Sequence, residues 1–236
     1  MTGCTKVSEA CRNCYAEVMA KRLSGMPASK EKYRNGFKVT LHPDALDEPY
    51  KWKKPQMVFV CSMGDLFHED VPFEFITKVM DVIEDNPQHT FQVLTKRAGR
   101  MEYYFTYLRE IPKNVWLGVT CENSRHYDRI YHLMCINATV RFVSCEPLIG
   151  NMSDIVLSDI DWVITGGESG VNARRTPVEW FRTLRDRCVE TQTPFFFKQW
   201  GAWGEDGIKR SKYANGCQLD GREWKEYPNL RNSQND

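Results

Sequence analysis

Short apolar segments alternate with amphipathic helical segments along most of the chain. The apolar segments are hydrophobic nearly throughout, which is typical of strands buried on both faces. They cover residues 56–63, 89–96, 115–122, 139–148, 161–169 and 194–200, and FKVTL at 37–41 is a candidate for a further short strand. Helical patterns follow most of these strands, as in PFEFITKVMDVIED. The alternation predicts an α/β fold, a full or partial (β/α) barrel with parallel strands and outer helices.

Polar side chains follow nearly every predicted strand, and this favours a barrel over an open doubly wound sheet. These side chains are Asp65, Lys96, Arg97, Glu122, Asn123, Glu146, Glu168, Lys198 and Gln199. In a barrel the carboxyl ends of the strands converge on one mouth, where such residues meet. The alternative is that they are ordinary solvated loop residues.

Length and composition are consistent with one large domain. The chain has 236 residues, of which 42% are hydrophobic, so it can bury a sizeable core. We expect a partial barrel with an N-terminal loop over residues 1–200 and an irregular extension over 201–236. The net charge of +1 means that any site for a polyanion must be local. No apolar run approaches the roughly 20 residues of a membrane span, so we expect a cytoplasmic protein without a membrane partner.

Three cysteines, Cys4, Cys11 and Cys14, lie on one loop directly before a predicted helix, with the spacing C-x6-C-x2-C. Four thiolates complete a structural zinc site or a closed iron-sulfur cluster, whereas three leave one coordination position open. The pattern therefore predicts a metal centre with an open position. A zinc site completed by Cys217 or His42, and three unligated thiols, are the alternatives.

The cysteine loop and the strand-helix units after it resemble the radical S-adenosylmethionine superfamily. Nearly the whole chain is also similar to an uncharacterised phage and prophage family, through TGCTKVSEACRNCYAE, VFVCSMGDLFHEDVP, HTFQVLTKR, VWLGVTCEN, RFVSCEPLIG, DWVITGGESG and PFFFKQWG. The superfamily resemblance implies that the three thiolates hold a [4Fe-4S] cluster whose open iron binds S-adenosylmethionine. It implies further that an external electron donor drives formation of a 5'-deoxyadenosyl radical, which abstracts hydrogen from a substrate. If the gene is viral, the location is the cytoplasm of the host cell.

The resemblance also implies that residues at the strand ends bind S-adenosylmethionine. Ser62, Gly64 and Asp65 are expected at its amino group, since a carboxylate attracts an ammonium and glycine permits close approach. Lys96 and Arg97 are expected at its carboxylate, or at a substrate phosphate. Glu122 and Asn123 are expected at the ribose hydroxyls, and Glu146 is the next cofactor-binding candidate.

Asp65, Glu146 and His68 are the candidate catalytic side chains. His68 lies on the loop LFHEDVP, where it is expected to act as an acid or base beside the reacting groups. Two simpler roles remain open, since Asp65 and His68 are also suited to capping the turn or helix that follows them.

The candidate substrate-binding residues are Glu168, Arg174, Arg175, Lys198, Gln199 and Trp200. Two arginines after a glycine-rich turn suit an anion, and a tryptophan beside a cation and an amide suits stacking on a base. Alternatively, Trp200 closes the end of the barrel.

Together with the viral setting of the resembled family, these residues favour a nucleotide or a thymidine-type base in phage DNA as substrate. A base within a duplex must be flipped out to react. An amino-acid-derived substrate stays open, and the reaction is expected to be an isomerisation or a base modification. Two other classes remain: a zinc-stabilised phage factor that binds DNA or protein, and a cluster enzyme that does not use S-adenosylmethionine.

Overall fold

The computed structural model describes residues 1–228 and shows an α/β fold built on one curled parallel sheet. The six strands are β1 Met57–Val60, β2 Thr90–Thr95, β3 Val115–Thr120, β4 Val140–Cys145, β5 Trp162–Gly166 and β6 Phe195–Gln199. Each strand pairs in parallel with the next one along the chain, so the sheet order follows the sequence order. The result is a half-barrel, which confirms the expected partial (β/α) barrel.

An α-helix lies in four of the five connections between successive strands of the sheet. The helices are α1 Tyr15–Ser24, α2 Phe73–Glu84, α3 Ala98–Tyr107, α4 Asp128–Met134, α5 Val178–Glu190 and the short α6 Lys212–Asn215. Shorter 3-10 turns lie at Glu9–Asn13, Pro43–Asp47, Pro49–Lys51 and Ser124–His126. Helices α2, α3, α4 and α5 follow β1, β2, β3 and β5, whereas the β4 to β5 connection contains no α-helix. No helix in the described part of the chain has the length and hydrophobicity required to cross a bilayer.

The two faces of the sheet have different partners. On the outer face, side chains such as Val93 and Leu117 are fully buried against the helices. On the inner face a smaller cluster is formed by Trp116, Phe142 and Trp162, together with Val140. The helices therefore cover one face only, and the aromatic side chains of the other face line the concave side of the half-barrel.

The N-terminal residues extend the sheet beyond the carboxyl end of β1. Gly3 forms a parallel bridge with Gly64, and Thr2 forms an antiparallel bridge with Thr40. Gly3 has φ +88°, and a Cβ there would lie 2.2 Å from the carbonyl oxygen of Lys38, so only glycine fits. The expectation of a strand at 37–41 is wrong, because this segment contributes only the single bridge at Thr40.

The segment after β6 covers the edge of the sheet. A two-stranded hairpin, β7 Gln218–Leu219 and β8 Arg222–Glu223, precedes residues that bond to β6 through the backbone of Phe195 and Phe197. The side chain of Leu219 is fully buried. The predicted irregular extension thus contains short elements that protect an edge strand. Its last residues, 229–236, lie outside the described part of the chain.

Gly118 of β3 is expected to be essential for the packing of the inner face. A Cβ at Gly118 would lie 2.3 Å from the ring of Phe142, so Gly118→Ala should lower the free energy of unfolding by about 1–3 kcal/mol. Gly99→Ala in α3 is the control, since its nearest neighbour is the ring of His132 at 3.5 Å. That change should raise stability by up to about 1 kcal/mol. Equal denaturation midpoints for both variants would contradict this packing.

Candidate functional site

The loop that carries the three cysteines, residues 4–14, lies across the carboxyl ends of the strands. Side chains of this cysteine loop and of the adjoining Tyr15 bond to residues that follow four different strands. The contacts pair Tyr15 with the carbonyl of Ser62, Cys4 with Arg97, Ser8 with Glu122 and Asn13 with Glu168. The topology of a parallel half-barrel places these strand ends at one edge, as expected. The cysteine loop is therefore fastened over the mouth of the half-barrel at four places.

The three thiols are free and partly exposed. Burial and the carboxylate of Asp65 raise the pKa of Cys4. For Cys11 burial acts in the same direction, but the backbone of Val7 and the ammonium of Lys96 outweigh it and lower the pKa. Cys11 lies in the 3-10 turn Glu9–Asn13, and Cys14 immediately precedes α1. Three accessible sulfur donors thus occur on one short segment at the mouth.

Three cysteine thiolates on one loop are a donor set of the type that an iron-sulfur cluster takes. Within residues 1–228, no three His, Cys, Asp or Glu side chains lie close enough to hold one metal ion. Thiolates on a single zinc lie about 2.3 Å from the same atom, whereas those of a [4Fe-4S] cluster bind different irons and are farther apart. Cys217 bonds to Glu223 at 3.4 Å, and the Nε2 atom of His42 lies 2.9 Å from the Thr2 hydroxyl.

Asp65 is buried, and groups of the protein itself occupy its carboxylate. Its Oδ1 accepts hydrogen bonds from the Thr95 hydroxyl at 2.6 Å and the Phe67 amide at 3.1 Å. Its Oδ2 accepts from the Lys96 amide at 3.2 Å and from Arg97 Nη1 at 3.0 Å. The carboxylate therefore joins the end of β1 to the end of β2. This arrangement leaves little capacity for the expected bond to a cofactor amino group.

Arg97 is buried with Asp65 and links it to the cysteine loop. Its Nε donates to the carboxylate of Glu69, its Nη1 lies 3.5 Å from Cys4 Sγ, and its Nη2 donates to the Thr5 hydroxyl at 2.9 Å. Burial opposes the charge, but Asp65 and Glu69 raise the pKa of Arg97, so it stays a cation. All of its side-chain nitrogens thus bond to the protein, and the expected grip on a cofactor carboxylate would require these bonds to be exchanged.

Lys96, beside Arg97 in the sequence, is differently placed. Its side chain is partly exposed and makes no hydrogen bond or ion pair within residues 1–228. The ammonium is close enough to Cys11 to lower the pKa of that thiol. Of the two basic residues predicted to meet a carboxylate, Lys96 is the one with donors free at the mouth.

His68 forms a hydrogen bond with the cysteine loop through Thr5. It is buried, its Nδ1 accepts from the backbone N–H of Asp70 at 3.0 Å, and its Nε2 lies 2.8 Å from the Thr5 hydroxyl. Accepting at Nδ1 leaves Nε2 to donate to Thr5. Both ring nitrogens are therefore in use within the protein.

Ser62 and Gly64 hold the N-terminal segment. The carbonyl of Ser62 accepts from the Tyr15 hydroxyl, while its side chain is exposed at the mouth. A Cβ at Gly64 would lie 3.0 Å from the carbonyl oxygen of Gly3. The close approach that glycine permits here is thus to the chain's own N-terminal residues.

Glu122 and Asn123 are used inside the protein. Glu122 is fully buried, accepts from Arg129 Nη1 at 2.9 Å and accepts from the hydroxyl of Ser8. Asn123 Oδ1 accepts from the backbone N–H of Arg125 at 3.0 Å and so caps the 3-10 turn before α4. The ribose contacts predicted for this pair would compete with these bonds.

Of the two arginines that follow Glu168, only Arg174 bonds to it. The Oε2 of Glu168 accepts from the backbone N–H of Arg174 at 2.7 Å, from its Nε at 2.9 Å and from Asn13 Nδ2 at 3.1 Å. Arg174 Nη1 also donates to the carbonyl of Glu9 at 3.0 Å. Arg175 packs instead against Gly207 of the C-terminal extension. The expected arginine pair is therefore split, and only Arg174 faces the cysteine loop.

The ends of β4 and β6 meet through Glu146 and Lys198. The ammonium of Lys198 lies 3.2 Å from Glu146 Oε2, and the Glu146 side chain is 19% exposed. Burial of the hydroxyl and the charges of Cys14 and Glu146 raise the pKa of Tyr15, which places this carboxylate near the start of α1. The other oxygen of Glu146, Oε1, makes no hydrogen bond to the described residues.

The side chains of Gln199 and Trp200 bond to the backbone of the chain itself. Gln199 Nε2 donates to the carbonyl of Gly167 at 3.1 Å. Contrary to the expectation of a stacking residue, Trp200 is only 4% exposed and packs edge to face against Phe181 and Phe197. Its indole N–H donates to the carbonyl of Gln218 at 2.7 Å. The position of Trp200 therefore agrees with the alternative, in which its side chain closes the end of the barrel.

Sequence reasoning does not identify several residues that hold the site together. They are Thr5, Ser8, Asn13, Tyr15 and Arg129, which bond to the strand ends or to the carboxylates there. Four of them lie between or beside the cysteines, and this proximity is the signal that the sequence offers. For Arg129, in the first turn of α4, no comparable signal exists.

The stability contributed by Glu168 should depend on pH. Burial raises the pKa of this carboxyl, but hydrogen bonds from Arg174 and Asn13 outweigh burial and lower it from 4.5. A lowered folded-state pKa stabilises the fold above the ordinary value, and the contribution is lost as the pH falls through the folded-state pKa. Glu168→Gln should lower the free energy of unfolding by about 1–3 kcal/mol at neutral pH, a difference that shrinks below pH 4.5.

Urea denaturation across this pH range provides the measurement. Glu190→Gln is the matched control, because Glu190 forms an exposed pair with Arg187 and its loss should cost at most about 0.5 kcal/mol. A difference between the native protein and Glu168→Gln that stays constant down to strongly acidic pH would contradict the role assigned to Glu168.

Comparison with known proteins identifies a family for the whole described chain. Residues 1–228 match the family described as Protein of unknown function (DUF5131). No curated protein and no solved structure matches the chain. The cysteine loop, all six strands of the sheet and the covering extension fall within the matched residues. The chain therefore belongs to the DUF5131 family.

Proposed function

We propose that the protein is a radical S-adenosylmethionine enzyme in which Cys4, Cys11 and Cys14 hold a [4Fe-4S] cluster. One observation carries the proposal: the cysteine loop lies across the carboxyl ends of a parallel half-barrel and is bonded to residues after four of its strands. Enzymes built on barrels place their chemistry at this edge. A metal site that only stabilises the fold does not have to lie at the carboxyl ends of the strands.

The cluster and S-adenosylmethionine would together supply one-electron cleavage of the cofactor and hydrogen abstraction from the substrate, with an external electron donor. The chain's own residues position the sulfur donors and neutralise the surrounding charge. Arg97 donates to Cys4 Sγ, and such hydrogen bonds tune thiolate ligands.

The long interval between the first two cysteines is consistent with this geometry. Six residues separate Cys4 from Cys11, where the superfamily commonly has three. In these six residues the chain passes from Arg97, after β2, to Glu122, after β3, where Ser8 bonds. The extra length thus lets the loop reach across the mouth.

The residues proposed to meet S-adenosylmethionine are those with free polar groups at the mouth. Lys96 suits the cofactor carboxylate, since its donors are unused by the described residues. Glu146 suits the amino group or the ribose, because one of its oxygens is free of the bond to Lys198. Ser62, which follows β1, has an exposed side chain and is a further candidate. Asp65, Arg97, Glu122 and Glu168 then act as positioning residues that hold the loop.

The concave face below the mouth supports a flat, partly apolar substrate. Met57 and Phe59 of β1 are 50% and 44% exposed there, and Gln92 of β2 separates Phe59 from the buried aromatic cluster of the same face. An exposed apolar side chain beside an exposed aromatic ring suits a nucleobase, with polar groups at the rim. The proposed substrate is a nucleotide or a thymidine-type base in phage DNA, and the proposed outcome is isomerisation or modification of the base. A base in a duplex would have to be flipped out.

Replacing the ligand cysteines tests the cluster. Cys4→Ala, Cys11→Ala and Cys14→Ala, purified without oxygen, should each lose most of the bound iron and all formation of 5'-deoxyadenosine under reducing conditions. Cys135→Ala and Cys217→Ala are controls that remove an exposed and a partly exposed thiol elsewhere, and both should keep iron and product. Full iron content in any of the first three variants would refute the ligand assignment.

The same measurements separate the other classes. Zinc in place of iron, lost in Cys217→Ala or His42→Ala, would indicate a zinc-stabilised binding factor. Iron and sulfide without binding of S-adenosylmethionine would indicate a cluster enzyme of another kind.

Lys96 provides a test of the cofactor site apart from the cluster. Lys96→Gln should weaken binding of S-adenosylmethionine by about tenfold, because a hydrogen bond to a charged group is lost, while iron content is unchanged. Lys78→Gln, on the exposed side of α2, is the control and should bind normally. Isothermal titration under anaerobic conditions measures both. Unchanged affinity in Lys96→Gln would show that the cofactor carboxylate lies elsewhere.

A further inference from the structure

A cavity of about 570 Å³ lies beside the cysteine loop. Three separate parts of the chain form its walls. Arg12 and Asn13 come from the cysteine loop, Asn172 and Arg174 from the segment after β5, and Lys209 from the C-terminal extension. Arg12 lies between Cys11 and Cys14 in the sequence, so the cavity adjoins the proposed cluster.

The lining of the cavity is cationic. Arg12, Arg174 and Lys209 contribute three positive charges, and no described lining residue is acidic. The exposed Arg12 makes no hydrogen bond or ion pair within residues 1–228. Glu168 neutralises Arg174 from outside the lining, which leaves the charges of Arg12 and Lys209 uncompensated. In a chain whose net charge is only +1, this is a local concentration of positive charge.

The walls of the cavity are held together by hydrogen bonds. Asn13 Nδ2 donates to the carbonyl of Asn172 at 2.9 Å, which ties the cysteine loop to the segment after β5. The indole N–H of Trp203 donates to the carbonyl of Ala173 at 2.8 Å.

Lys209 is itself positioned by its neighbours. Its backbone pairs with Trp203, its ammonium donates to the carbonyl of Val171, and the same ammonium lies 5.4 Å from the centre of the Trp203 ring. The cysteine loop, which carries Arg12, and the C-terminal extension, which carries Lys209, thus both bond to the segment after β5.

We propose that this cavity binds a phosphate group of the substrate, either of a free nucleotide or of a single nucleic-acid strand. A guanidinium and an ammonium across a cavity suit the oxygens of a phosphate, which accept several charged hydrogen bonds. A phosphate held by Arg12 lies next to two of the proposed cluster ligands, so the attached sugar and base reach the mouth. The nucleotide identity rests on the proposed function, whereas the anion site rests on the cavity alone.

Binding of a short fluorescein-labelled oligothymidylate, followed by anisotropy at several salt concentrations, tests the site. Arg12→Gln and Lys209→Gln should each weaken binding about tenfold. Each should also reduce the slope of log affinity against log salt by about 0.7, the value for one lost contact to a single strand. Arg22→Gln and Lys212→Gln remove equal charge from exposed positions outside the cavity, and both should leave affinity and slope unchanged.

Competition identifies the source of the phosphate. Thymidine 5'-monophosphate and inorganic phosphate should displace the probe, and thymidine should not. Tighter binding of the monophosphate than of the oligonucleotide indicates a free nucleotide, and the reverse indicates a strand. Equal weakening by all four variants, no effect of Arg12→Gln and Lys209→Gln, or equal competition by thymidine would each overturn the proposal.

Iron content and formation of 5'-deoxyadenosine, measured on the same preparations, keep the two proposals apart. Protein that forms 5'-deoxyadenosine while binding the probe without dependence on Arg12 and Lys209 would refute the phosphate site alone. Protein that lacks iron while binding the probe through these two residues would refute the radical enzyme alone.

Discussion

The arrangement of residues at the mouth depends on the hydrogen bonds of one buried side chain, the guanidinium of Arg97. It bonds to Asp65 after β1, lies itself after β2, and donates to Cys4 and Thr5 of the cysteine loop. Removing one partner of such a buried pair typically costs about 3–5 kcal/mol, because the other charge is left without compensation. The first cysteine is therefore positioned by the same charge that joins the first two strands.

This contact belongs to a pattern that recurs along the sheet. Carboxylates after β1, β3 and β5 are each buried and each paired with an arginine. The pairs are Asp65 with Arg97, Glu122 with Arg129 and Glu168 with Arg174. In every pair one member also bonds to the cysteine loop. The loop is thus held by charged groups that neutralise one another, whereas Lys96, Arg12 and Lys209 form no ion pair with the residues that the structure describes.

The sequence predicts the fold well because the signals for it are local. Apolar runs and helical spacing locate all six strands of the sheet and the helices that cover it, and the parallel topology brings the strand ends together. The use of each polar side chain depends on its tertiary partners, which periodicity does not report. Asp65 and Glu122 look available in the sequence but are occupied in the fold.

Two tertiary effects account for most of the remaining differences at the site. Trp200 resembles a stacking residue but fills the core, because Phe181 and Phe197 pack against its ring. Arg174 and Arg175 are adjacent in sequence yet meet different segments, since neighbouring side chains of an extended segment point in different directions. The cavity beside Arg12 joins three distant segments, so no sequence motif could have located it.

Electron paramagnetic resonance of the anaerobically reduced protein reports on the open position of the proposed metal centre. We expect the signal of a reduced [4Fe-4S] cluster that changes when S-adenosylmethionine is added. A signal that S-adenosylmethionine leaves unchanged, or a protein that contains zinc and gives no signal, would contradict this expectation.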